Sequence, residues 1–293
     1  MTNAGRSLSL IFIGANLRTI KLFHSHCSCS NLSAGFQFFH KCFFYFPLQL
    51  HLAHYRNFAS AQGEKQQMSS QIKPIKVWGR GPSPNPLKVA IILKELNIPY
   101  EIVHVPFEDI KKPEYVAINP NGRLPAIQDP NTGITLWESG AIVEYLIERY
   151  DTQHQLSFAP GTREAYHAKQ WLFFQVSGQG PYYGQMIWFK KWHPEPVPSA
   201  VQRYIKEINR VTGVLEGYLA QKKADAGDSH GPWLVGNKLS YADLAFIPWQ
   251  WMMVSGLIDK DDYDQNNFPH VTEWYGKMTS RDAVKTAIKE VTL

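Results

Sequence analysis

The residues best suited to chemistry sit at one predicted helix start. Trp137-Glu138-Ser139-Gly140 follows a short apolar run and opens a stretch with helical spacing, which brings the Ser139 hydroxyl together with the free N–H groups of a first helical turn. That terminus suits a carboxylate, and the neighbouring Glu138 suits an ammonium, so the pair fits the charged amino-acid end of a small ligand. The same two residues also read as an ordinary helix cap. Upstream, Arg123-Leu124-Pro125 joins a loop to a short apolar strand, where a proline on its own would open the strand in trans. Other chemistries are disfavoured. Cys27, Cys29 and Cys42 all precede residue 68, so the later part carries no disulfide, thiolate metal site or cysteine nucleophile. Its histidines (His104, His154, His167, His193, His230 and His270) lack ligand-like spacing, and no metal site is predicted. Gly178-Gln-Gly180-Pro-Tyr-Tyr-Gly184 follows a helix rather than a strand, which argues against a dinucleotide loop.

The elements that must position these residues begin near residue 73. Ile75 to Trp78 reads as a buried strand, Gly79 to Asn85 as a Gly/Pro loop, and Pro86 to Leu96 as a helix with proline in its first turn. Asn97-Ile98-Pro99 ends that helix and Tyr100 to Val105 alternates as a second strand, giving a βαβ unit with parallel strands. A hairpin turning through Asp129 to Gly133 and a helix from about Glu138 to Tyr150 complete a domain over residues 73–150. Residues 151–162 are polar and form a linker, and residues 163–293 are predicted all-helical: Arg163 to Val176, Pro198 to about Ala220, Ser240 to Val254, Pro269 to Met278 and a last helix to Glu290. Ser240-Tyr-Ala-Asp243 is a capping box.

Charge separates this part from what precedes it. Of the formal +5, all comes from residues 1–67, where Arg6, Arg18, Lys21, Lys41, Arg56 and Lys65 face Glu64 alone. The remainder balances 24 basic against 24 acidic residues. It carries no basic footprint for nucleic acid or an acidic membrane.

From Lys76 to the C-terminus the sequence resembles the glutathione transferase family. The landmarks are Asn119-Pro-Asn-Gly-Arg-Leu-Pro-Ala-Ile127, Trp137-Glu-Ser-Gly-Ala-Ile142 and Leu239-Ser-Tyr-Ala-Asp-Leu-Ala245. Ser83-Pro-Asn85-Pro-Leu-Lys-Val-Ala, Trp171-Leu-Phe-Phe-Gln175 and Ser177-Gly-Gln-Gly-Pro-Tyr182 are most similar to the fungal branch related to the yeast nitrogen regulator and prion protein. The resemblance implies a thioredoxin-like N-terminal domain followed by an all-α domain. It implies a cis bond before Pro125, so that Leu124 offers its backbone N–H and C=O to an extended peptide ligand, with Glu138 and Ser139 on the γ-glutamyl end. It implies Asn85, with Ser83 as second choice, as the donor that activates the glutathione thiol, and Lys111 or Lys112 as the partner of the glycyl carboxylate. Phe174, Gln175, Tyr182 and Tyr183 are candidates for a second-substrate pocket, since Gly178, Gly180 and Pro181 should break the helix there and open a cleft. The implied activity is conjugation of glutathione, as co-substrate and with no separate cofactor, to a small hydrophobic electrophile in detoxification or secondary-metabolite biosynthesis, by a homodimer. Glutathione-dependent peroxide or disulfide reduction, or a non-catalytic glutathione-binding regulator of the same fold, are the alternatives.

Nothing in residues 1–67 takes part in that resemblance. Their near-absence of acids, their Ser, Phe and His content and the run Arg56-Asn-Phe-Ala-Ser60 fit a mitochondrial presequence ending near residue 58. An extension ahead of a true start at Met68, in a cytoplasmic protein, fits equally. Leu8 to Ile13 is too short to span a bilayer, and Phe36 to Leu52 is interrupted by Gln37, His40, Lys41, Gln49 and His51, so no transmembrane helix is predicted.

Overall fold

The computed structural model describes residues 72–292, apart from 80, 82, 227–230 and 232. The reading of residues 1–67 therefore lies outside the described residues. Strand β1 (Ile75–Gly79) leads into α1 (Pro84–Glu95), β2 (Tyr100–His104), α2 (Pro113–Val116), β3 (Ala126–Asp129), β4 (Ile134–Trp137) and α3 (Ser139–Tyr150). The sheet has the order β2-β1-β3-β4. β1 and β2 are parallel, with Val77 opposite Ile102, as a βαβ crossover requires. β3 runs antiparallel to both β1 and β4.

The helical part follows as α4 (Arg163–Phe174), a π-helical turn at Gln175–Gln179, α5 (Gly180–Lys191), α6 (Pro198–Ala226), α7 (Tyr241–Leu244), α8 (Ile247–Met252), α9 (Pro269–Thr279) and α10 (Asp282–Thr292). Several predictions shift: α6 runs on to Ala226, the single helix expected over Ser240 to Val254 is two helices, and α5 has no counterpart among the predicted helices. α1 begins at Pro84, two residues ahead of the predicted start, so Ser83 takes the N-cap position without a side-chain cap bond and Asn85 lies inside the first turn. The chain also does not break at Gly178-Gly180-Pro181. It widens by one π turn and continues as α5, and that widened turn is the local adjustment by which the helix accommodates Pro181, which has no N–H to donate.

The position of α1 explains its composition. It packs on β1 and α3 on one side and on α7, α8 and α10 on the other, and every residue from Pro86 to Leu93 is buried, Lys88 included. A helix apolar on all sides belongs between two layers. The main core therefore runs without interruption from Ile75 and Ile127 in the sheet through Leu87 and Ile91 to Phe246, Trp274 and Met278 in the helices. A small cluster of Val105, Ile110, Tyr115 and Ala126 covers the opposite sheet face. Among the described residues, no helix is long and apolar enough to cross a membrane.

Candidate functional site

The loop ahead of Pro125 is fixed by its own side chains. Asn119, 2% exposed, donates to the Arg123 carbonyl at 2.6 Å and accepts from the Asn121 N–H at 3.0 Å, while Tyr115 donates to the same carbonyl at 2.8 Å. Gly122 lies at φ +57°, where a Cβ would stand 2.7 Å from the Ile110 carbonyl oxygen, so glycine alone fits. The loop delivers a cis Leu124–Pro125 bond. Neither the N–H nor the C=O of Leu124 has a partner among the described residues, so both are open to an extended backbone.

Beside it, Glu138 adopts φ +71°, ψ +112°, an uncommon conformation for a side-chain-bearing residue and one that sites of function tend to retain. Its carboxylate is exposed and, among the described residues, accepts a hydrogen bond from the Asn121 amide alone, at 3.5 Å. Ser139 opens α3 and is 7% exposed.

Lys88 lies beneath these groups, 1% exposed, and the sequence reading did not select it. Its ammonium donates to Ser139 Oγ at 2.9 Å and to Asn85 Oδ1 at 3.4 Å. Because the serine oxygen is held as an acceptor, its own O–H is left to donate outward. Burial lowers the Lys88 amine to about 7, against which the Glu138 charge pulls it up. Asn85 is gripped again from the helical domain, since Trp249 Nε1 donates to the same Oδ1 at 3.1 Å. Two donors on one amide oxygen decide which way the amide faces, leaving its NH2 as the free end.

These groups line one cavity of about 690 Å³, closed on its far side by Gln175, Val176, Gly180, Pro181, Gly184, Gln185, Trp188, Trp192 and Trp249. Its outer wall is aromatic. Trp188 on α5 and Trp192 at its C-cap, 43% and 61% exposed, stand 6.3 Å apart. Gln175 is fully buried in the wall; its Nε2 donates to Gln179, whose amide donates to the Phe246 carbonyl.

The cavity thus brings together Asn85, Leu124, Pro125, Glu138, Ser139 and Gln175 from the sequence-selected residues. Others fall elsewhere. Ser83 is not among the lining residues. Lys111 donates to the Asn121 carbonyl at 2.8 Å and Lys112 pairs with Asp109 at 2.5 Å, both outside the cavity. Phe174 packs in the core on Trp171 and Phe246, Tyr182 lies against Tyr204, and Tyr183 is fully buried with its hydroxyl 2.9 Å from Thr212 Oγ1. The cause is the unbroken helix. Once α5 runs from Gly180, positions 181, 184, 185, 188 and 192 share the cavity face, and Tyr183 turns toward α6. Two signals were available for the missed residues: a lone lysine inside the apolar run Leu87 to Leu93, and the i, i+4 tryptophans 188 and 192. Nothing local marks Trp249.

Comparison with known proteins agrees with this geometry. Residues 73–148 match the model of the glutathione S-transferase N-terminal domain, and residues 182–282 match that of the C-terminal domain. The glutathione S-transferase-like protein gedE of Aspergillus terreus is 60% identical over 222 residues, covering 76% of this chain and 97% of its own length. Protein URE2 of Candida albicans is 37% identical over 236 residues, covering 71% of this chain and 67% of its own. Among solved structures, the glutathione transferase URE2P8 from Phanerochaete chrysosporium, crystallised with oxidized glutathione, superposes with a TM-score of 0.69 at 40% identity over 76% of this chain and 96% of that one. With both halves of the fold matched and relatives of this identity covering most of the chain, the chain belongs to the glutathione S-transferase family, in the fungal branch that includes the URE2-type proteins.

Proposed function

We propose that this protein binds glutathione in the cavity and transfers it to a small hydrophobic electrophile. The observation that carries the reading is the convergence of the open Leu124 backbone, the Glu138 carboxylate, the Ser139 helix terminus and the free amide end of Asn85 on one cavity. The cysteinyl backbone of glutathione pairs with Leu124, its ammonium with Glu138 and its γ-glutamyl carboxylate with the Ser139 O–H and the first turn of α3. The sulfur then lies toward Asn85.

Activation is a matter of about two units of thiol pKa, from near 8.5, or roughly 2.7 kcal/mol. A hydrogen bond to a charged group supplies about 1.5–3 kcal/mol, and the first turn of α1 adds about 0.3–1 kcal/mol. The thiol proton passes to water. The sulfur lone pair forms the S–C bond while the leaving group departs with its electrons, so no cofactor beyond glutathione as co-substrate is needed. The tryptophan wall suits a flat apolar electrophile, as a detoxification substrate or a biosynthetic intermediate.

Steady-state rates with a chlorodinitrobenzene-type electrophile and with a hydroperoxide, beside a glutathione thermal shift, test the reading. Turnover of the first supports transfer, turnover of the hydroperoxide alone replaces it with peroxide reduction, and a shift without turnover makes the protein a glutathione-binding regulator. We also propose a homodimer, supported by the exposed Tyr166 and Phe173 on one face of α4 and by Trp137 at the sheet edge. Light scattering at the mass of a single chain would overturn it.

A further inference from the structure

We propose that Trp249 and Lys88 are positioning residues that hold the Asn85 amide with its NH2 toward the sulfur, so that thiol activation depends on contact between the two domains. This rests on the glutathione reading above. The argument is geometric. Asn85 Oδ1 receives Trp249 Nε1 at 3.1 Å and Lys88 Nζ at 3.4 Å; the indole N–H is a donor only, and Lys88 is a donor only while it carries its charge. An unheld asparagine would offer the sulfur either its N–H2 or its carbonyl oxygen, and the second repels a thiolate.

The indole is itself held. A Cβ at Gly184 would stand 3.1 Å from Trp249 Cη2, and one at Gly180 would stand 3.4 Å from Nε1. The two glycines, one turn apart on α5, thus form the flat seat on which the ring lies. This gives the glycines near residue 180 a role that neither a dinucleotide loop nor a helix break supplies. Lys88 is fixed from the other side by Ser139 Oγ, which links the amide to the residue assigned to the glutamyl carboxylate. The titratable side chains lining the cavity are Lys88, Arg123 and Glu138. Lys88 alone touches Asn85, so a change in the thiol's titration on altering Trp249 cannot come from a lost charge.

The test is the pH titration of thiolate absorbance for glutathione bound to the full chain. In the unaltered protein the midpoint should lie below the free thiol's value of about 8.5; a midpoint at the free value removes the activation reading itself, and this inference with it. Trp249→Phe keeps an aromatic, though smaller, ring and loses the donor. It should raise the midpoint by about one unit, equivalent to about tenfold less thiolate at a fixed pH, while glutathione affinity measured well below the midpoint, with the thiol protonated, changes by less than about twofold. Lys88→Met, close in volume and free of the buried charge, should fold whatever becomes of Trp249→Phe and should move the midpoint the same way. In an Asn85→Ala background Trp249→Phe should have no further effect, because there is no amide left to orient. A lowered midpoint in the unaltered protein that persists in Trp249→Phe, or an equal rise with and without Asn85, overturns the proposal.

Discussion

Asn85 and Glu138 touch different parts of the proposed ligand, the central cysteinyl sulfur and the γ-glutamyl ammonium, and their removal should separate two measurements. Asn85→Ala takes away about 1.5–3 kcal/mol of thiolate stabilisation, so the bound-thiol midpoint rises by about one to two units and turnover at neutral pH falls accordingly. Glutathione affinity holds where it is measured below the midpoint, with the thiol protonated. Glu138→Ala loses a charge-assisted contact to the ammonium, and calorimetry should find affinity weaker by roughly ten- to hundredfold with the thiol midpoint in place. Lys88 gives a prediction of a different kind. Its folded value of about 7 lies below the ordinary lysine value of 10.5, so between those limits the unfolded chain binds more protons and stability rises with pH, by at most about 1.4 kcal/mol per unit. Below about pH 7 the penalty of burying the charge is complete. Lys88→Met escapes it, and its melting temperature relative to the unaltered protein should be highest near pH 7 and fall steadily toward pH 10.

At the scale of elements, the join between α4 and α5 decides what the cavity wall contains. One π turn at Gln175–Gln179 shifts the face of the following helix, which carries Trp188 and Trp192 into the wall and Tyr183 into the core. The close seat of Trp249 on α5 has no spare room, as the 3.1 Å spacing at Gly184 shows. Gly184→Ala should therefore displace the indole by a few tenths of an ångström, destabilise the fold by about 1–2 kcal/mol in denaturant titration and reduce kcat more than it changes KM for glutathione. A gain in stability, from better helix propensity with no displacement, would show that the seat is not tight.

Across the whole molecule, distant segments are joined through a few buried polar nodes. Asp243 accepts from the Ser240 N–H and Oγ at 2.9 Å each, the Leu234 N–H at 2.9 Å and Trp274 Nε1 at 3.0 Å, fully buried. It closes the capping box of α7 while tying α9 and the segment before it to the core. Burial raises its carboxyl above the usual range despite those four donors. Asp243→Ala leaves them without an acceptor and should cost at least about 3 kcal/mol, a fall in melting temperature of roughly 6–12 °C for a fold of this size. Arg281 grips Glu95, whose side chain is 4% exposed, through two bonds of 2.6 and 2.7 Å, joining the start of α10 to the end of α1 by a bidentate pair. Sequencing the N-terminus of the native protein would test where it starts: residue 1, near residue 59 after presequence removal, or Met68.

Local chemistry was legible in the chain itself. The βαβ unit, the proline of Arg123-Leu-Pro125, the Glu138-Ser139 helix start and the Ser240-Asp243 capping box are each specified within a few residues, through periodicity, fixed φ and side-chain-to-backbone bonding. Asn85 could be selected in sequence but its state could not, because the donors that orient it come from opposite directions. Trp249 lies 164 residues away, and Lys88, three positions on, stands out as a lone lysine in an apolar run, but its burial follows only when the helices of the second domain cover α1. The wall of the cavity was hidden for the same reason: no local preference tells whether a Gly-Pro pair ends a helix or rides over a π turn, since packing against α6 and Trp249 settles it. The sequence by itself determined which groups could bind and activate a thiol. Only the tertiary structure decided which way they face, since burial and the contacts between domains set the orientation of an amide and the charge of a lysine.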